Sequence, residues 1–175
     1  EQMRRGTWDI KARVDDMNAN GVLGSLCFPT FPGFAGQRFQ VMPDKNVSLA
    51  AIQAYNDWHL HDWCNAAPGR FIPLMMVPWW DMQAAAAEVK RMADQGVHAI
   101  TLSDNPTVHG YPSVHTPHWD PLWKACEENN VVSGCHIGDC HYIDANHWTE
   151  KRVDRIRKKM EEIGLRPERL QLEWI

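Results

Sequence analysis

Four side chains able to bind a metal ion fall within the seven residues Cys135-His136-Ile137-Gly138-Asp139-Cys140-His141. Thiolate and imidazole are the donors for zinc, iron-sulfur clusters and haem iron, so this density marks a metal-binding candidate. A lone Cys-His pair is more often packed at a buried strand end, because free Cys is among the most buried residue types. Cys135-x4-Cys140-His141 also spells a widened c-type haem attachment site. Such haem is attached outside the cytoplasm, and the first residues, Glu1-Gln2-Met3-Arg4-Arg5, lack the apolar stretch of an export signal. A second spacing, His59-Leu60-His61, would chelate one ion from a strand, where residues two apart share a side. Its flanks read as helix, where they diverge, so surface or helix-packing histidines are the expectation. His109, Tyr111, His115 and His118 crowd one loop, and imidazoles there can bind a carboxylate or move protons near neutral pH. His98 falls inside an apolar run and reads as structural.

The elements that must position these groups alternate. Residues 9–20 carry Ile10, Val14 and Met17 at helical spacing, and Gly21 stands where a helix-ending glycine would. Residues 22–28 read as a buried strand. Residues 29–46 form a loop rich in Pro, Gly and Phe, too long for a simple connection and so a candidate functional loop. A helix over 47–67 ends at Pro68-Gly69, and 71–77 is the second strand. Asp81 caps a helix over 81–95 that Gly96 closes, and 97–102 is the third strand. After the loop 103–118, Asp120 is expected to cap a helix over 121–129 with Pro121 at its first position, leading into a fourth strand over 131–136.

Strands alternating with amphipathic helices imply parallel strands and right-handed crossovers. The fold class is therefore α/β, and four such units fit either half of a TIM barrel or a small doubly wound sheet. Both place ligands at the C-terminal ends of the strands, here residues 27–32, 78–80, 103–118 and 136–139. Cys27, Ser103 and His136 should converge there.

Composition limits the function classes. The 175 residues are 44% hydrophobic and 23% charged, which suits a folded globular chain of ordinary domain size. No apolar run approaches the ~20 residues that span a bilayer, so no membrane role and a cytoplasmic location are expected. Five cysteines, an odd number, do not look like a disulfide framework. The nine tryptophans, several beside Pro or His, suit a pocket wall as well as a core. Eight of the 18 basic residues lie between Lys151 and Arg169, but Asp154, Glu161 and Glu162 interleave with them and the net charge is -4, which favours a solvated helix face over nucleic-acid binding.

Several segments together resemble the amidohydrolase-related metal-dependent hydrolases, the barrel group that includes aminocarboxymuconate semialdehyde decarboxylase and the resorcylate decarboxylases. They are Ala19-Asn20-Gly21-Val22 into Phe28-Pro29-Thr30; Ala54-Tyr55-Asn56-Asp57-Trp58; Pro68-Gly69-Arg70-Phe71; Gly110-Tyr111-Pro112-Ser113-Val114-His115; His118-Trp119-Asp120-Pro121-Leu122-Trp123; and Val131-Val132 into His136-Ile137-Gly138. The resemblance implies a partial TIM-barrel-like fold over residues 1–133, hydrolase or decarboxylase (lyase) chemistry on a small carboxylated or aromatic molecule, and a divalent metal, usually zinc, in the barrel mouth. It maps the middle-strand metal ligand onto His136 and places His115 and His118 near substrate. The family's first-strand His-x-His, later catalytic His and terminal Asp find no match, so one ligand of four is expected in this chain. A homo-oligomer is a further expectation.

From Gly134 the string Gly134-Cys135-His136-Ile137-Gly138-Asp139-Cys140-His141-Tyr142, then Glu150-Lys151-Arg152, Pro167-Glu168-Arg169-Leu170 and Leu172-Glu173-Trp174-Ile175, resembles the iron-sulfur delta subunit of methyl-viologen-reducing hydrogenases. That implies an electron-transfer alternative with Cys135 and Cys140 as [2Fe-2S] ligands and hydrogenase and heterodisulfide reductase subunits as partners. Two thiolates fall short of the four ligands such a cluster needs. The tail, 134–175, reads as a further helix over 149–163 with Val153, Ile156, Met160 and Ile163 on one face, then a strand with Leu170, Leu172 and Trp174 alternating. Two patterns meeting near Val132 to Gly138 lead us to expect a truncated or chimeric chain.

Overall fold

The computed structural model describes residues 3–136, which lie in the first of two compact units, Glu1–Asp139. The expected tail helix and strand, and Cys140, fall outside the described residues.

Helix α1 (Ile10–Ala19) starts where the Asp9 carboxylate accepts the Ala12 N–H, which satisfies one of the donors a helix leaves open at its start. Gly21, at φ 68°, ends it, with Val22 N–H returning to the Met17 carbonyl. Strand β1 is only Ser25–Leu26. The expected start at 22 fails because the Arg70 guanidinium takes the Val22 and Leu23 carbonyls, at 3.0 and 2.8 Å. This clamp also explains Pro68-Gly69-Arg70-Phe71 as a unit: Gly69, at φ 76°, turns the chain so that Arg70 reaches back while Phe71 enters β2 (Phe71–Ile72).

The loop after β1 carries one short helix, α2 (Gln37–Gln40). Helix α3 (Lys45–Trp58) is capped by Asp44 and then widens into a π-helical turn, His59–Cys64, where a uniform helix to 67 was expected. The second strand was expected to run to 77 and instead stops at Ile72, because side chains take over its edge. Asn56 bonds both the N–H and the carbonyl of Met76, the Leu74 N–H points at His59 Nδ1 at 3.5 Å, and the Gln40 amide bridges the Val77 carbonyl and the Trp79 N–H.

Helix α4 (Met82–Ala93) begins at Asp81, whose carboxylate accepts the Gln83 and Ala84 N–H groups, and ends at Gly96, φ 89°. Strand β3 (Ala99–Ser103) is fully buried. Helix α5 (Asp120–Glu128) corrects one expectation: its N-cap is Trp119, and Asp120 is the first helical residue, placed to interact with the positive helix end instead of capping it. Strand β4 (Val132–His136) follows.

All pairings among the described residues are parallel. β1 pairs with β2, β3 with β4, and a bridge between Met75 and Ile100 joins the two pairs. The order is therefore β1, β2, β3, β4, as in a barrel segment; a doubly wound sheet would reverse direction part-way. The core lies between the sheet and helices α4 and α5, where Trp79, Val89, Ile100, Leu102, Trp119 and Leu122 are wholly buried. Each such side chain contributes about 1.5–3 kcal/mol of burial free energy. Under α3, buried Glu88 accepts from Asn56 at 2.8 Å and from two nitrogens of Arg91, which also reaches Asp57.

Candidate functional site

Parallel order puts the C-terminal ends of all four strands on one side, so Cys27, Ser103 and His136 converge as expected, with His136 in register opposite Ser103. Phe28, just past β1, reaches across to β4: a Cβ on Gly134 would lie 3.6 Å from its ring.

Over these ends the loops after β2 and β3 build an aromatic cluster on buried Trp79. His109 and Tyr111 pack on its ring at centroid distances of 5.8 and 5.6 Å, and the Tyr111 hydroxyl donates to the Gln40 carbonyl. His118 Nε2 lies 3.2 Å from the Trp79 carbonyl and its ring stands edge-on to Trp119. A carbonyl only accepts, so Nε2 carries the proton and, in the neutral ring, Nδ1 is the acceptor nitrogen. Trp119 in turn donates to the Pro112 carbonyl, which ties Gly110-Tyr111-Pro112 to His118-Trp119. His115 is exposed. His98 was read as lying inside a strand and instead stands exposed just before β3, 3.1 Å from the Asn129 carbonyl.

His59 and His61 diverge: His59 is buried and His61 exposed. Burial holds the His59 imidazole below its usual pKa, and its Nε2 lies 3.8 Å from Cys64 Sγ. Burial also pushes the Cys64 and Cys126 thiols up to about 11, which disfavours the thiolate a metal would need. Cys135 is the exposed one of the four described cysteines. Among the described residues no three His, Cys, Asp or Glu side chains gather closely enough to hold a metal ion.

A cavity of about 660 Å³ opens beside β1, lined by Cys27 and Phe28, by Trp8 and Arg13 from the N-terminal segment and α1, and by Tyr55 and His59 from α3 and its π-helical turn. Sequence reasoning singled out Cys27 and suggested that tryptophans wall a pocket, but it missed Arg13 and Tyr55. No local pattern marks Arg13, and Tyr55 enters only within the segment Ala54-Tyr55-Asn56-Asp57-Trp58, because the fold alone brings α1 and α3 together around β1.

The amidohydrolase family profile matches residues 2–171, nearly the whole chain. This chain belongs to the amidohydrolase family. Among solved structures, this amidohydrolase resembles 5-carboxyvanillate decarboxylase LigW from Sphingomonas paucimobilis (TM-score 0.56, 23% identity, 71% of this chain and 34% of that one). It also resembles an amidohydrolase from Mycobacterium avium subsp. paratuberculosis K-10 (TM-score 0.59, 23% identity, 83% and 39%). At that identity the likeness establishes the barrel fold. The C-terminal segment is similar to the iron-sulfur subunit of the F420-non-reducing hydrogenase of Archaeoglobus profundus, 47% identical over 45 residues, 26% of this chain and 33% of that protein. A 52-residue match, 44% identical, is to one subunit of the ferredoxin/F420H2-dependent CoB-CoM heterodisulfide reductase of Methanosarcina acetivorans, covering 30% of this chain and 7% of that one. The match spans about a third of the length of the hydrogenase protein and less of the reductase protein. No described helix is long and apolar enough to cross a membrane.

Proposed function

We propose that this chain supplies part of a metal-dependent hydrolase or decarboxylase acting on a small carboxylated or aromatic substrate at the C-terminal ends of β1 to β4. The observation that carries this reading is the sequential parallel order that brings Cys27, Ser103 and His136 to one end of the sheet in an amidohydrolase-family chain. His136 is assigned as one ligand of a divalent metal, zinc by preference, the one of the family's four ligands that the resemblance maps onto this chain. His118, oriented by the Trp79 carbonyl, and the exposed His115 are assigned to the substrate side. A neutral His118 with Nδ1 as acceptor suits hydrogen bonding to a substrate hydroxyl. Trp79, Tyr111 and Trp119 form the aromatic packing that holds this loop in place.

A second reading, an electron-transfer role for Cys135 and Cys140 in a hydrogenase and heterodisulfide reductase system, is favoured by the 47%-identical C-terminal match and by the exposure of Cys135. One preparation separates the two. The chain is purified anaerobically with zinc and iron present, and metal per chain, visible absorption and carbon dioxide release from aromatic carboxylates are measured beside His136→Ala. The first reading expects zinc uptake that falls in His136→Ala with the fold intact. Brown protein carrying iron, with zinc uptake indifferent to His136, would overturn it and support the second.

A further inference from the structure

We propose that Cys27 and Cys64 form a peroxide-responsive thiol pair, closing to a disulfide that straps the end of β1 to the π-helical turn after α3. The cavity that Cys27 lines is the β1 end of the strand-end site assigned above, so the effect of this strap on turnover rests on that reading, whereas the disulfide itself does not.

Placement is the first argument. Cys27 is partly exposed and lines the cavity, whereas Cys64 is buried. Cys64 forms a small apolar cluster with Met17 and Phe71, and Cys27 packs against that cluster. Burial first, and then the neighbouring Cys27 sulfur, push the Cys64 thiol up to about 11. Tyr55 is pushed up to about 12 by burial and then by both sulfurs, so the three groups share one locality. The other described cysteines lie elsewhere: Cys126 in the core with Val89 and Leu122, and Cys135 exposed on β4.

The π-helical turn supplies the second argument. Residues five apart on an α-helix point about 140° from one another, but a turn closed by bonds between residues five apart brings them back toward one side. The Asn65 N–H donates to the Leu60 carbonyl at 2.9 Å and closes such a turn, and His59 Nε2 then lies 3.8 Å from Cys64 Sγ. The Leu74 N–H points at His59 Nδ1, so the neutral ring carries its proton on Nε2, facing the sulfur. A donor there stabilises the negative charge that gathers on Cys64 as it attacks.

The chemistry takes two steps. Hydrogen peroxide reaches Cys27 through the cavity, whose lining carries the Arg13 cation and no Asp or Glu, the electropositive and part-exposed setting in which cysteines react. The Cys27 sulfur takes one peroxide oxygen, the O–O bond breaks, and the thiol proton leaves with the other oxygen as water. The Cys64 sulfur then attacks the sulfenic sulfur of Cys27. The S–S bond forms, the S–O bond breaks, and the hydroxyl leaves with the Cys64 proton as a second water. The two thiols give up two electrons, and one peroxide is reduced to water.

The test treats the full chain with hydrogen peroxide and maps it without reduction. Trypsin places Cys27 in peptide 14–38 and Cys64 in peptide 46–70, each with a single cysteine. A linked 14–38/46–70 species is expected, short of the summed peptides by two hydrogens and absent after dithiothreitol. In Cys64→Ser the sulfenic acid on Cys27 should persist and take up dimedone about tenfold or more above the unaltered chain, while Cys27→Ser should leave Cys64 a thiol. Peroxide carrying Cys27 to the sulfinic acid with Cys64 unlinked would overturn the proposal, as would linkage of either to another cysteine or dimedone uptake at Cys64 ahead of Cys27. If Cys64→Ser does not fold, the map of the unaltered chain decides alone. Where carbon dioxide release is found, the linked chain should lose it and dithiothreitol should restore it; full activity in the linked chain would overturn the regulatory effect. Loss of zinc binding in His136→Ala leaves the peptide map untouched, so the two assignments fail separately.

Discussion

The Asn56 carboxamide and the Met76 peptide exchange two hydrogen bonds, the Met76 N–H donating to Oδ1 at 2.8 Å and Nδ2 donating to the Met76 carbonyl at 2.9 Å, as a neighbouring strand would. The same Nδ2 donates to Glu88, so one side chain both finishes the sheet edge and fastens α3 to α4.

Asn56→Ala strands a buried N–H and a buried carbonyl together and removes a donor from Glu88. A loss of about 2–4 kcal/mol in urea unfolding is expected. Asn56→Asp should be no better, since it puts a carboxylate beside Glu88 and cannot donate. A loss under about 0.5 kcal/mol for either variant would mean that Met76 finds other partners.

Glu88, with its side chain fully shielded, depends on Arg91, whose side chain is 34% exposed and whose guanidinium is held strongly protonated by its hydrogen bonds to Glu88 and Asp57. Arg91→Met should destabilise by about 2–4 kcal/mol, and pairing it with Glu88→Leu should recover part of that loss, because the uncompensated buried charge is then gone. A double variant less stable than Arg91→Met would contradict this account.

Burial lowers the His59 pKa from the usual 6.5. The unfolded chain then binds the proton first on acidification, so the stability that neutral His59 contributes is present above about 6.5 and is lost as pH falls through the depressed folded value. Unfolding midpoints measured from pH 7.5 down to 5 should fall less steeply in His59→Leu than in the parent chain. Parallel slopes would show that His59 does not drive the loss.

Thiol labelling reads the cysteine environments. Native chain treated with iodoacetamide at pH 8 should modify Cys135, which is exposed, well before Cys64 and Cys126, which are buried with thiols pushed up to about 11. Peptide mass spectrometry showing Cys126 labelled as fast as Cys135 would refute the placement of α5 over the core.

Gly134 tests the crossing of Phe28 over β4. A Cβ there would sit at ordinary contact distance from Phe28 and from the Ile100 carbonyl, 3.6 and 3.5 Å, so Gly134→Ala should change stability by under about 0.5 kcal/mol. Gly134→Leu must displace the Phe28 ring and should cost about 1–3 kcal/mol. Phe28→Ala should reduce that extra cost.

Local chemistry was enough for the sequence to determine one cap and two stops: Asp81 opening a helix, Gly21 and Gly96 closing helices, and the alternation that implies parallel strands, because each depends on a residue and its near neighbours. Strand order, strand length and the lining of the cavity required the tertiary structure. Residues 71–77 carry a strand's pattern throughout, yet Asn56, His59 and Gln40 arrive from other elements to occupy their hydrogen-bonding edge. Asp120 looks like a cap in sequence but lies one position inside its helix, since the 3₁₀ turn Pro117–Trp119 runs directly into it. His59 and His61 share a spacing and differ in burial, which no local pattern encodes. Arg13, Cys27 and Tyr55 come to line one cavity only when α1, β1 and α3 fold together, because a shared lining is a property of neighbours brought together by the fold.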